Sequence, residues 1–255
     1  MFKPNEIEAM PLELERQFKT LENRVMEDIV RRIKINGEIT RAADWQLHRL
    51  QELGKAQEDI KQYIQDTLQL SDKEIDRLYS DAIASGYAHD EKLYDALGLR
   101  QIPFAQNEPL QQLISAVKTQ TTDELRNITQ SLGFAVRQPD GKLAFTTLAN
   151  YYQQTLDGAM LDISTGVFDY NTVLKRTINE LTNSGLRTVD YASGWSNRVP
   201  VAARRALMTG MAQVTGKIHE QNMRALGTDY VEVTWHQGAR PSHQVWQGKV
   251  YKWNR

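Results

Sequence analysis

Apolar positions in the first third of the chain recur at spacings of three and four. Within "LELERQFKTLENRVMEDIVRRIKI", Leu14, Phe18, Leu21, Val25, Ile29 and Ile33 form one stripe of a helix. Asn36-Gly37 supplies its C-terminal cap signal. A second stripe, Trp45, Leu47, Leu50, Leu53, Ile60 and Ile64, predicts a helix from about Thr40 to Leu70, with Gly54 as a weak point. "SDKE" at 71–74 has the form of a capping box, opening a third helix that carries Ile75, Leu78, Tyr79 and Ile83 and ends near Gly86. A short piece, "HDEKLYDALG", precedes the loop "IPFAQNEP", whose two prolines do not suit a helix interior. Pro109 fits the first turn of the next helix, over 110–133.

The period changes at "FAVRQPDGKLAF", where alternation around Pro139-Asp140-Gly141 predicts a small hairpin near 134–145. Helices resume from Thr146, and Asp169 is placed as N-cap of "YNTVLKRTINELTNSG", closed by Gly185. "LRTVDYASGWSNRVP" is rich in Gly, Ser, Asn and Pro and is the most loop-like segment. A helix follows from Val199 or Pro200 to Leu226. Its stripe is Val201, Ala202, Leu207 or Ala206, Met211, Val214, Ile218 and Met223, and Gly227 closes it. "DYVEVTW" then alternates, with Tyr230, Glu232 and Thr234 on one face and Val231, Val233 and Trp235 on the other. After the turn-rich "GARPSHQVWQG", "KVYKW" predicts a second short strand. The expected fold is mainly α: an elongated multi-helix N-terminal region followed by a small α+β module of helix, strand, loop and strand.

Charge sharpens that division. Residues 1–184 carry 21 Lys/Arg against 28 Asp/Glu, net -7, whereas 185–255 carry ten against four, net +6. The sequence therefore divides into an acidic helical region, 1–184, and a basic module, 185–255, with different partners. Apolar residues make up 40% and charged residues 25%, a polar balance that suits a chain burying its stripes in an assembly. No apolar run approaches the roughly 20 residues of a membrane span, and the opening residues lack a secretory pattern. Cysteine is absent, which removes disulfides and thiolate zinc sites from these residues.

Chemically useful side chains concentrate in "WHQGARPSHQVWQGKVY", 235–251. His236 and His243, with His219 on the preceding helix, lack the acids or cysteines that complete a zinc set, so no metal is expected. Ser242 and His243 are adjacent but have no glycine-flanked elbow, and no phosphate-binding glycine loop occurs, so neither catalysis nor a cofactor is expected. Arg198, Arg204, Arg205, Lys217, Arg224, Arg240, Lys249 and Lys252 are candidates for contact with DNA phosphates or a protein partner. Arg204 and Arg205 point about 100° apart on a helix and do not form one stripe.

The run from Asp190 to Tyr251 closely resembles the minor capsid proteins of tailed phages, of the minor capsid protein 2 type. The matching residues are Asp190-Tyr191, Ser193-Gly194, Arg204-Arg205, Thr209, Leu226-Gly227, Val231-Glu232-Val233, Gly238 to His243 and Trp246 to Tyr251. The module is also distantly similar to Mu F-type head morphogenesis proteins. In both groups the chain continues past this point with further Cys or His, so the resemblance implies a module cut short at its C-terminal end. It also implies a structural virion protein made in the host cytoplasm, present in several copies inside the capsid near the portal vertex. The implied partners are portal protein and major capsid or scaffolding protein, with packaged DNA touched non-specifically and no membrane. The implied roles are head assembly and DNA packaging or ejection. Trp235, His236, Gly238, Arg240, Pro241, His243, Trp246 and Gly248 are then a structural signature: glycines and proline shape the backbone, Arg240 and His243 tie the loop, and the tryptophans supply apolar area. Alternatives are an enzyme or toxin-associated module using His236, Ser242 and His243, or a non-specific DNA-binding protein.

Overall fold

A computed structural model describes residues 9–36, 42–138, 140–164, 168–189, 194–233, 235 and 239–253, the side chains of 35, 36, 42–50, 160, 163 and 164 excepted. The cap at Gly37, the turn residue Pro139, the loop residues 190–193, His236, Gly238 and Arg255 lie outside the described residues, as do the side chains of Trp45, Leu47 and Leu50. The elements are α1 (Leu12–Asn36), α2 (Ala42–Ala96), a 3-10 turn (Phe104–Gln106), α3 (Glu108–Gln130), β1 (Leu132–Arg137), β2 (Leu143–Thr147), α4 (Leu148–Ser164) and α5 (Tyr170–Ser184). They continue with β3 (Arg187–Val189), β4 (Ser196–Arg198), α6 (Val199–Ala225), β5 (Tyr230–Val233), α7 (Pro241–Gln244) and β6 (Lys249–Lys252). The fold is mainly α, as the apolar periodicity predicts.

The chain forms two compact units, one built from Leu12–Glu74 with Thr122–Ala206 and the other from Ile75–Thr121 with Leu207–Arg255 and Met1–Pro11. The charge boundary at 184/185 falls within the first of these, between α5 and β3.

In the first unit, α4 and α5 pack on β1, and α1 packs on both helices. All six residues of the α1 stripe are buried to within 1%. For α1 the expectation that burial awaits assembly is overturned, since the chain itself covers the stripe, whereas Leu53, Ile60 and Ile64 of the second stripe are only half-buried. Burial extends to charge. Arg32 is 1% exposed and meets Asp28 through two bonds of 2.7 and 3.0 Å, Glu52 at 2.7 Å and Asp59 at 2.9 Å. The Tyr152 hydroxyl donates to Asp28 at 2.8 Å. Burial alone would raise the Asp28 carboxyl, but donors on Arg32, Arg31 and Tyr152 more than offset it and hold it below its ordinary value.

The sheet of this unit is antiparallel, in the order β2-β1-β3-β4. The predicted hairpin is present as β1–β2, with Ala135 opposite Phe145 and the turn made at Gly141, φ 82°. Two strands were not expected. β3 and β4 replace the loop predicted over 186–200, with Leu132 opposite Thr188 and Thr188 opposite Asn197. The helix predicted to 133 ends at Gln130, and Thr146 and Thr147 belong to β2 rather than to a helix start. Asp169 caps α5 by accepting the Thr172 amide at 3.1 Å, and Gly185 ends it at φ 62°, both as predicted. Glu22, fully buried, accepts the Leu186 amide at 3.0 Å and Arg198 at 2.9 Å, which ties α1 to the sheet.

The largest correction concerns α2, one helix of 55 residues where two and a fragment were predicted. Ser71 does not cap anything. Its buried hydroxyl donates to the Thr67 carbonyl one turn back, at 2.7 Å, so the backbone ladder continues through "SDKE". Gly86 does not end the helix either. In the second unit a Cβ there would press on the Ile218 side chain of α6, so the glycine permits a close approach of two helices. Gly210 plays the same part, facing Tyr79 and Thr121, whose hydroxyls bond at 2.6 Å. On α6 the predicted stripe holds at Ala202, Leu207, Met211, Val214 and Ile218, whereas Val201 is exposed and Val199 and Ala203 are buried instead.

Breaking the Arg32 cluster from one side leaves buried carboxylates uncompensated, so Arg32→Met lowers unfolding free energy by roughly 3–5 kcal/mol in urea titration. Adding Asp28→Asn and Glu52→Gln recovers part of that loss. Buried carboxylates also set an acid limit. Asp28 and Glu22 both have depressed folded values, so their contribution is complete above the ordinary carboxylate range and vanishes as pH falls through the depressed values. Thermal midpoints fall on acidification below about pH 4, and Asp28→Asn flattens that fall.

Candidate functional site

The C-terminal signature is positioned by the end of α6. The Thr228 amide donates back to the Met223 carbonyl at 3.1 Å, and Gly227 adopts φ 65°, which turns the chain into β5. β5 and β6 form a two-stranded antiparallel sheet in which Tyr230 faces Lys252, Val231 faces Tyr251, Glu232 faces Val250 and Val233 faces Lys249. Gly248, φ 65°, brings the chain into β6, and its amide donates to Val233 at 2.7 Å. The predicted alternation holds over 230–233, where Val231 and Val233 are half-buried and Tyr230 and Glu232 face solvent, but Trp235, predicted on the valine face, is exposed, and Thr234 lies outside the described residues.

Between the strands lies α7, a single turn with Pro241 at its start and Arg240 at its N-cap position. Its backbone, not its charged side chains, fixes the loop. The His243 amide donates to the Arg240 carbonyl at 2.7 Å, and the Gln244 side chain donates to Ala239 at 3.0 Å. Among the described residues neither Arg240 nor His243 makes a side-chain hydrogen bond, so the tying role falls to Gln244, which the motif's chemistry did not single out. The His243 ring lies 6.2 Å from that of Trp246. The tryptophans are not covered: Trp235 is 65% and Trp246 58% exposed, with Val245, Val250 and Trp253 similarly open.

The eight candidate cations divide by use. Arg198 serves buried Glu22, Arg204 meets Glu15 at 2.8 Å, and Lys217 and Arg224 both pair with Glu220. Arg205, Arg240, Lys249 and Lys252 are exposed and carry no ion pair among the described residues. Ser242 and His243 are consecutive and exposed on α7, which points their side chains about 100° apart, so they form no nucleophile–base pair. His219, half-buried on α6, has its basicity lowered by burial, which Asp90 opposes and His89 reinforces. Among the described residues no three His, Asp or Glu side chains converge on a metal position, and no helix is long and apolar enough to cross a membrane.

The sequence model of the family described as phage minor capsid protein 2 matches residues 2–254. The chain belongs to that family. No curated protein and no solved structure matches it. As a phage minor capsid protein it is a structural component of the virion, and it interacts with other virion components. The match reaches well upstream of the run from Asp190 to Tyr251 that carries the motif, so α1 to α5 lie within the span that the family model matches.

Because both tryptophans of the signature face solvent, Trp235→Ala and Trp246→Ala each change the unfolding free energy by no more than about 0.5 kcal/mol in denaturant titration. A loss of several times that value would show that the signature is held together by its own aromatic packing.

Proposed function

We propose that this minor capsid protein sits inside the head near the portal vertex, where it contacts portal protein and major capsid or scaffolding protein and assists head assembly and DNA packaging or ejection. The observation that carries this reading is the exposed β5–α7–β6 hairpin. A two-stranded sheet has little independent stability, and this one leaves Tyr230, Trp235, Val245, Trp246, Val250 and Trp253 open to water. Exposed apolar area of that kind marks a surface made for a partner. The reading is structural rather than enzymatic, in keeping with a family of capsid proteins.

The unpaired cations support a second contact within the same reading. Arg240, Lys249 and Lys252 lie in the hairpin module, in a stretch of sequence with net charge +6. Cations beside aromatic side chains suit phosphate backbones without base reading. Packaged DNA is thus a non-specific neighbour rather than a recognised sequence.

A photo-activatable residue at Trp246 tests the placement in purified particles. Cross-links to portal protein are expected; cross-links confined to proteins of the outer capsid surface contradict it. DNA contact is tested on the full chain by binding at increasing salt, where Lys249→Glu with Lys252→Glu weakens binding and flattens its salt dependence by about two charges' worth. An unchanged affinity removes DNA from the reading.

A further inference from the structure

Helix α2 presents two chemically different faces to the first unit. On one, Glu52, Asp59 and Asp66 are spent on Arg32, Arg31 and Arg24 of α1. On the other, Leu53, Ile60, Ile64 and Leu68 are only half-buried and floor an open groove of about 630 Å³. The last turn of α3 and the first turns of α4 form its far wall. From Leu53 to Leu68 the floor runs along about 22 Å of helix axis, four turns. A cleft of that length suits a helix lying along it better than a compact small molecule.

Charge selects the kind of helix. The only charged side chains among the described lining residues are Lys61 and Arg126; no Asp or Glu is among them, although residues 1–184 carry net -7. Glu52, Asp59 and Asp66 are engaged by α1 and no acid lines the groove, so its described lining is a basic, apolar strip on an acidic region. Lys61 is exposed and has no ion pair among the described residues, while Arg126 meets Asp123 at 3.1 Å in an exposed contact that an incoming carboxylate can replace.

We propose that this groove docks an acidic amphipathic helix of another virion protein. Its apolar i, i+3, i+4, i+7 positions lie on Leu53, Ile60, Ile64 and Leu68, and its flanking carboxylates meet Lys61 and Arg126. The site is separate from the C-terminal hairpin and holds wherever in the head the protein sits.

The test uses the full chain and two helical peptides of about 18 residues, five turns. Both carry leucine at those apolar spacings, one with glutamate flanks and one with lysine flanks, and binding is read by fluorescence anisotropy. The glutamate peptide binds, and the lysine peptide binds at least about tenfold more weakly. Lys61→Glu with Arg126→Glu, both on the surface, reverses that preference while the thermal midpoint stays in place, and Ile64→Asp removes binding of both peptides. Equal binding of the two peptides, no binding of the glutamate peptide up to about 1 mM, or indifference to the charge reversal overturns the proposal. Sedimentation of a dimer that Lys61→Glu dissolves overturns it too, assigning the groove to a second copy of the chain.

Discussion

Arg32 is a guanidinium almost without water, and the first unit is arranged around satisfying it. Its carboxylates come from three places: Asp28 one turn back on α1, and Glu52 and Asp59 on α2. Tyr152 of α4 completes the set by donating to Asp28. Clusters of this kind add little over apolar packing of the same volume, yet they are severely penalised when a partner is missing. A slip of α2 by one turn, about 5.4 Å, would strand the charge. The apolar stripe of α1 supplies most of the burial, and Arg32 selects the one alignment in which that stripe can be covered. Glu22 repeats the device further along α1, holding the Leu186 amide and Arg198 and so fixing where β3 and β4 lie.

That division of labour explains what the sequence disclosed. The α1 stripe, the Asp169 cap, the Gly185 and Gly227 stops and the alternation of β5 are local, and each was legible from a few consecutive residues. The unbroken α2 was not. Ser71 and Glu74 have the right letters for a cap, but their role depends on whether the preceding turn has left the helix, and both are buried where it has not. Strands of three residues such as β3 and β4 are too short to display alternation, and β3 pairs with a strand over 50 residues away in sequence. The same non-locality hid the ion pairs: nothing in the letters says that Arg198 and Arg204 face Glu22 and Glu15 rather than a phosphate.

The C-terminal signature carries the opposite lesson. Its letters were specific enough to suggest the family, yet the roles suggested for them were only partly legible. Gly248 sits at positive φ and Pro241 opens α7, while Gly238 lies outside the described residues. Arg240, His243, Trp235 and Trp246 instead face outward. Residues that share a motif and spend little on their own fold are available to a partner, which is what a virion component needs. The body and the signature therefore divide: buried charge and apolar stripes make the chain a folded object, while the hairpin leaves its aromatic side chains open to water, as the proposed contact with other virion proteins requires.

Hydrogen exchange compared between the free chain and the same chain in assembled particles tests that division most directly. The account predicts slow exchange for the α1 amides from Leu21 to Ile33 in both states, and protection of the β5–β6 amides that rises sharply only in the particle. Fast exchange of α1 in the free chain, or a hairpin equally protected in both states, would contradict it.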